Sequence, residues 1–205
     1  SIPHVRIIRI GSKMPAFDPS RVLNDPELLA AFREYSTPRM RIYLMAHFDH
    51  LRELTGLAVQ GLNACMENGV ACVNQCPLIR GVNDDPDVLA ELFERLTFGG
   101  VHPYYLFQGR PTAGNEPYET PIVEGWQIFQ QALRHGSGLA RRARYCMSHE
   151  TGKVEIMSID NEHMYLRYHQ AKCDDDVGRF FICRRDDDAY WLDQLEVVDS
   201  APLHA

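Results

Sequence analysis

Apolar residues fall along this chain in two alternating patterns, short β-branched or continuous apolar runs and longer stripes at helical spacing, with turn residues at the boundaries. Val5-Arg6-Ile7-Ile8-Arg9-Ile10, closed by Gly11-Ser12, predicts a first strand. Asp25-Pro26 then supplies an N-cap and a first-position proline for a helix over residues 27–35, with Leu28, Leu29 and Phe32 as its apolar face. Residues 41–47 predict a second strand, and a helix over residues 55–69 carries Ala58, Leu62, Cys65 and Met66 on one stripe before Gly69 stops it. Residues 71–76 predict a third strand. Asp85-Pro86 repeats the cap and proline, and Val88, Leu89, Leu92, Phe93 and Leu96 form a stripe that ends at Gly99-Gly100. The strand-like run of residues 101–108 leads into a Gly/Pro-broken loop, 109–114, and a helix over residues 120–133.

Four strand–helix pairs joined by short loops predict a parallel sheet with right-handed crossovers, and part of a (β/α) barrel is the simplest architecture. Past Arg144 the pattern changes to short β pieces, residues 154–157, 163–168 and 179–183, separated by acidic turns. The expected organisation is therefore a partial α/β barrel over residues 1–144 and a small C-terminal β extension over residues 145–205. Each barrel strand ends in polar residues: Arg9 and Ser12, then His47 with Asp49 and His50, Asn74 with Gln75, and Gln108 with Arg110. In a barrel such ends converge around a ligand. Singly each has a plain structural explanation; their recurrence at four successive strand ends points to a site.

Composition narrows the function. With 205 residues and 45% hydrophobic content the chain can build a core, and its formal charge of -7 argues against nucleic acid as a partner. The basic run of residues 134–144 reads as a solvated helix end. No apolar run reaches membrane-spanning length and no signal-peptide pattern opens the chain, so it reads as cytoplasmic. Its six cysteines lack disulfide-scaffold spacing, as in a reducing compartment. Cys72 and Cys76 would share a strand face, but no third cysteine completes a metal site there.

The blocks His4-Val5-Arg6-Ile7-Ile8-Arg9-Ile10-Gly11-Ser12, Ala46-His47-Phe48-Asp49-His50, Val73-Asn74-Gln75 followed by Arg80-Gly81-Val82-Asn83-Asp84, and Pro103-Tyr104-Tyr105 with Gln108 resemble, in order and spacing, the lysine 2,3-aminomutase family of radical S-adenosylmethionine enzymes. The similarity runs from about His4 to at least Val154. It implies a [4Fe-4S] cluster that cleaves S-adenosylmethionine to a radical, and pyridoxal phosphate as carrier of a migrating amino group on a small amino acid substrate. By this resemblance His47 and Gln75 match positions that hold S-adenosylmethionine, with Arg9 and Ser12 beside them as cofactor-binding candidates. Lys153, which spacing alone would leave as an ordinary surface lysine, matches the lysine that holds pyridoxal phosphate.

The chain also departs from the family. The cluster motif C-x3-C-x2-C is absent, and elements that should precede Ser1 are missing, so the expectation is the carboxyl-terminal part of a longer enzyme, unable to run the radical step alone. Where the lysine enzymes have aspartates that bind the substrate ammonium, this chain has Arg110 and Cys146; an arginine favours a carboxylate, which suggests an acidic substrate. Ser148-His149-Glu150-Thr151-Gly152 replaces the family's glycine-rich run, and Asp85 stands at one of its zinc cysteines. An isolated half-barrel with open edges is expected to form a homo-oligomer or to pair with its missing half. Two alternatives stand beside the aminomutase reading: a non-catalytic binding or assembly module derived from the family, and a radical enzyme that does not use pyridoxal phosphate.

Overall fold

A computed structural model describes Ile2 and residues 4–200. Its elements in order are β1 (Ile7–Ser12), α1 (Met14–Phe17), α2 (Ser20–Leu23), α3 (Pro26–Tyr35), β2 (Arg41–Ala46), α4 (Gly56–Glu67), β3 (Ala71–Pro77), α5 (Pro86–Phe98), β4 (His102–Phe107), α6 (Ile122–His135), β5 (Arg144–His149), β6 (Gly152–Ile159), β7 (His163–Ala171), β8 (Phe180–Arg184) and β9 (Val197–Ser200). The caps form as the sequence dictates. Asp25 accepts from the Leu28 amide at 2.9 Å, Thr55 from Ala58 at 3.2 Å, and Asp85 from Asp87 at 2.8 Å, each satisfying amides that a helix start leaves without partners. Gly69 and Gly100 follow α4 and α5 with φ of 85° and 79°, the left-handed turn that ends a helix.

The described strands follow one another in sheet order from β1 to β9, with β1, β2 and β3 parallel, β4 and β5 parallel, and β5 to β9 antiparallel. The parallel start agrees with the sequence expectation. Closure does not occur: no pairing joins β9 to β1 among the described residues, so the sheet is open. One strand was hidden in the sequence. Residues 144–149 form β5, the strand at which the sheet changes from parallel to antiparallel; the pattern had placed the start of the extension there but no strand before residue 154.

The chain divides into two compact units, which β4 and α5 both enter: residues 1–76, 91–104 and 136–142 form one, and residues 77–90, 105–135 and 143–205 the other. In the first unit Ile42, Leu44 and Ala46 of β2 and Cys72, Asn74 and Cys76 of β3 are buried, while Arg9, Tyr43 and Val73 keep some exposure. In the second unit Tyr145, Met147, Val154, Ile156, Leu166 and Phe181 are buried, together with Ile122, Phe129 and Ala132 of α6. Burying each of the Val, Leu, Ile, Phe and Met side chains among these contributes about 1.5–3 kcal/mol. The alternate positions of β5, β6 and β7 carry polar side chains, and they hold the candidate chemistry.

Candidate functional site

In the first unit the register Ser12↔Ala46 and Ala46↔Asn74 aligns the carboxyl ends of β1, β2 and β3. His47 lies one residue past β2, and its amide donates to the Ser12 carbonyl at 3.2 Å. Its Nε2 lies 2.7 Å from Gln75 Nε2, so the structure brings these two expected residues together. With the Gln75 amide donating, the His47 ring is neutral and carries its proton on Nδ1. Burial lowers the His47 pKa from its ordinary value; the Asp49 carboxylate opposes the shift and Lys13 adds to it. Ser12 alternates to the face opposite Arg9, and its hydroxyl accepts from the Met14 amide at 3.0 Å. Arg9 is exposed in the middle of β1, in register with Tyr43.

The segment after β2 is clamped by Asn74, whose buried amide accepts from Phe48 N at 2.8 Å and donates to Phe48 O at 3.1 Å. Lys13 is a participant that sequence reasoning missed. Its Nζ lies 2.7 Å from both Asp49 Oδ2 and Glu53 Oε1, and Glu53 Oε2 accepts from the Asp49 amide at 2.6 Å. Burial works against the Lys13 charge, but its bonds to Asp49 and Glu53 outweigh this and raise its pKa. The two carboxylates lie 36 and 40 residues from Lys13 along the chain, so no local motif announces them.

The second unit holds Lys153 and Arg110. Lys153 is the second residue of β6, directly after the Glu150-Thr151 turn, and not a loop residue as the sequence suggested. Its Nζ stands 4.2 Å from the centre of the Tyr105 ring and 5.1 Å from that of Phe107, a cation over two aromatic faces. Gly152 before it has φ of 146°, and a Cβ there would overlap the Gln170 carbonyl and come within 2.7 Å of Ala171 Cα. Only glycine fits that start.

The register Phe107↔Cys146↔Glu155↔Arg167 runs across four strands, and Tyr105↔Arg144 and Ser148↔Lys153 fall on the same face. There Glu155 Oε2 accepts from Arg144 at 3.2 Å and Arg167 at 2.7 Å, and Arg144 Nη1 lies 2.9 Å from His169 Nδ1. The His169 ring packs edge-on against Tyr105 at 5.7 Å. Burial lowers its pKa, and Arg144, Arg167 and Lys153 add to the shift against Glu155. Cys146, fully buried, has its thiol pushed up to about 12 by burial, which keeps it neutral. Arg144, Glu155, Arg167 and His169 were not anticipated; alternation on β5, β6 and β7 was the available signal.

Gln108 turns out to be a structural residue. It is buried, donates to the Thr120 carbonyl at 2.6 Å and the Tyr190 carbonyl at 3.0 Å, and accepts from the Tyr145 hydroxyl. Arg110 is exposed in the loop after β4. Among the described residues no group of three or more His, Cys, Asp or Glu side chains could hold a metal ion. No described helix is long and apolar enough to cross a membrane.

These positions can be set against known proteins. No family profile matches the chain. A relative from Aquifex aeolicus (strain VF5), named "Putative L-lysine 2,3-aminomutase", is 48% identical over 193 residues, 94% of this chain and 52% of that protein. The chain belongs to the lysine 2,3-aminomutase family. The L-lysine 2,3-aminomutase of Fusobacterium nucleatum is 37% identical over 68% of this chain and 32% of its own length. The glutamate 2,3-aminomutase of Clostridioides difficile is 29% identical over the same shares. The chain thus spans about half the length of the first of these relatives and a third of the others.

Proposed function

We propose that this chain is the carboxyl-terminal part of a radical S-adenosylmethionine aminomutase that shifts an amino group within an amino acid carrying an acidic side chain. Residues 1–144 would form the barrel portion and residues 145–205 the β extension with the cofactor lysine. The observation that carries the reading is Lys153 over Tyr105 and Phe107, on a sheet face shared with Arg144, Arg167 and His169. An aromatic platform beside a primary amine suits a planar aldehyde cofactor. Pyridoxal phosphate, when bound, would carry the migrating amino group. Lys153 would hold it, Gly152 fixes the strand start that aims the lysine, and the Tyr105 and Phe107 rings would exclude water from one side.

In the first unit, His47 and Gln75 would hold S-adenosylmethionine, with Arg9 and Ser12 as further contacts. The neutral His47 leaves an Nδ1–H donor, and Gln75 leaves its carbonyl oxygen, a set that fits a ligand bearing both ammonium and carboxylate. The Lys13, Asp49 and Glu53 network fixes the segment that carries His47. Ligands for the [4Fe-4S] cluster would come from elsewhere in the protein. Arg110 would meet the substrate carboxylate from the loop after β4.

The test is covalent trapping. The whole protein, incubated with pyridoxal phosphate and reduced with borohydride, should carry a pyridoxyl group on Lys153 by peptide mass mapping. Lys153→Ala should lose that label. Labelling spread over surface lysines and unchanged in Lys153→Ala would refute the assignment.

A further inference from the structure

The polar face of β5, β6 and β7 holds more positive charge than it neutralises. Arg144 and Arg167 are two cations, and among the described residues Glu155 is the one carboxylate they share. Both bind the same oxygen, Oε2, so the fork of neither guanidinium is matched by two oxygens. Arg167 Nε is buried and has no hydrogen-bond partner, a donor left over in a place where such groups are normally satisfied. His169 offers no negative charge, since its Nδ1 accepts from Arg144. Cys146, between Phe107 and Glu155 in the register, is neutral as well. A lone structural ion pair would need one arginine. Two arginines around one carboxylate, with side chains still 38% and 36% exposed, leave a charge and several donors for something that arrives from solution.

We propose that Arg144 and Arg167 form a carboxylate-binding site that reads the side-chain carboxylate of the substrate, with Glu155, which bridges both through one oxygen, as the internal competitor that the substrate displaces. The site lies two residues along β6 from Lys153, about 7 Å at the usual strand rise, a distance of the order of a short dicarboxylic amino acid. This deepens the reading of Lys153 as the cofactor lysine and rests on it. It assigns specificity to two strand residues in addition to the loop residue Arg110. The same oxyanion chemistry could serve a cofactor phosphate, so the test must separate the two.

The experiment is calorimetric titration of the whole protein with glutarate, with butyrate and with inorganic phosphate, alongside borohydride trapping of pyridoxal phosphate at Lys153. Glutarate should bind at least tenfold more tightly than butyrate. Arg144→Met and Arg167→Met should each weaken glutarate tenfold or more and leave the Lys153 label intact. Glu155→Gln should tighten glutarate, because it removes the internal competitor; a purely structural ion pair would give no gain. Arg167→Lys keeps the charge without the fork and should fall between Arg167 and Arg167→Met, which preserves the test if the methionine variants fold poorly. No preference for glutarate, or weaker binding in Glu155→Gln, would overturn the proposal. So would arginine variants that lose phosphate binding and the Lys153 label while keeping glutarate, since the pair would then serve the cofactor. Glutarate binding without any Lys153 label would instead refute the cofactor assignment alone.

Discussion

Replacing Gly152 with alanine tests whether the β5–β6 turn is what places Lys153. The Gly152 φ of 146° is one that side chains rarely adopt, and the new Cβ would overlap the Gln170 carbonyl oxygen, lie 2.7 Å from Ala171 Cα and lie 3.0 Å from Gln170 C. All three neighbours are backbone, so none can rotate away. Relief requires the Gly152↔Ala171 end of the β6–β7 ladder to open. A disfavoured backbone costs about 1–3 kcal/mol and a lost ladder hydrogen bond about 1 kcal/mol, so the loss should be about 2–4 kcal/mol. At roughly 2–4 °C per kcal/mol for a chain of this size, Tm should fall by about 4–16 °C in a calorimetric scan. Because Lys153 is the next residue, trapping of pyridoxal phosphate should fall with it. Gly138→Ala is the control, with nothing within 4 Å of its Cβ and no positive φ. A Gly152→Ala protein with the Tm and labelling of Gly138→Ala would refute this account of the turn.

Two further outcomes follow from buried polar groups. Tyr145→Phe removes the donor to Gln108 Oε1 and should destabilise the protein by about 1–3 kcal/mol in urea unfolding, the cost of leaving a buried acceptor unmet; a loss below about 0.5 kcal/mol would show that Gln108 finds another donor. Burial lowers the His47 pKa below its ordinary 6.5, so the unfolded chain takes up that proton first as pH falls. The stability contributed by neutral His47 is therefore complete above about pH 7 and is lost below about 6.5. His47→Gln should flatten the fall in urea midpoint between pH 7.5 and 5.5, and an unchanged fall would assign it to other groups.

How far the sequence reached depends on where each signal lies. Asp25-Pro26 and Asp85-Pro86 predicted helix starts because capping is settled within four residues, and both aspartates cap in the structure. His47 and Gln75 were legible as strand-end residues, since strand ends can be read one strand at a time. β5 was not, because Arg144-Tyr145-Cys146-Met147-Ser148-His149 has three successive buried residues that mask its alternation, behind a run of arginines. The Lys13 network and the Arg144–Glu155–Arg167 cluster lie beyond local reading for a different reason. The Arg144 cluster is set side by side by sheet register, which the core on the opposite face fixes, and the Lys13 network joins the segments that follow β1 and β2.

That dependence also bears on the turn before Lys153. Ser148 and His149 pair with Lys153 and Gly152, so the end of β5 is tied to β6 by strand pairing. His149 Nδ1 lies 2.7 Å from Thr151 Oγ1, which lies 2.9 Å from the Tyr168 hydroxyl, and His149 Nε2 lies 3.1 Å from Asp193. Of the turn, only Gly152 still needs glycine's freedom. A hairpin held by side chains of β5, the turn, β7 and Asp193 costs less conformational entropy to order around a cofactor than a run of glycines would. Ser148, His149 and Thr151 therefore support a fixed Lys153, and trapping in Gly152→Ala is the sharpest check on that.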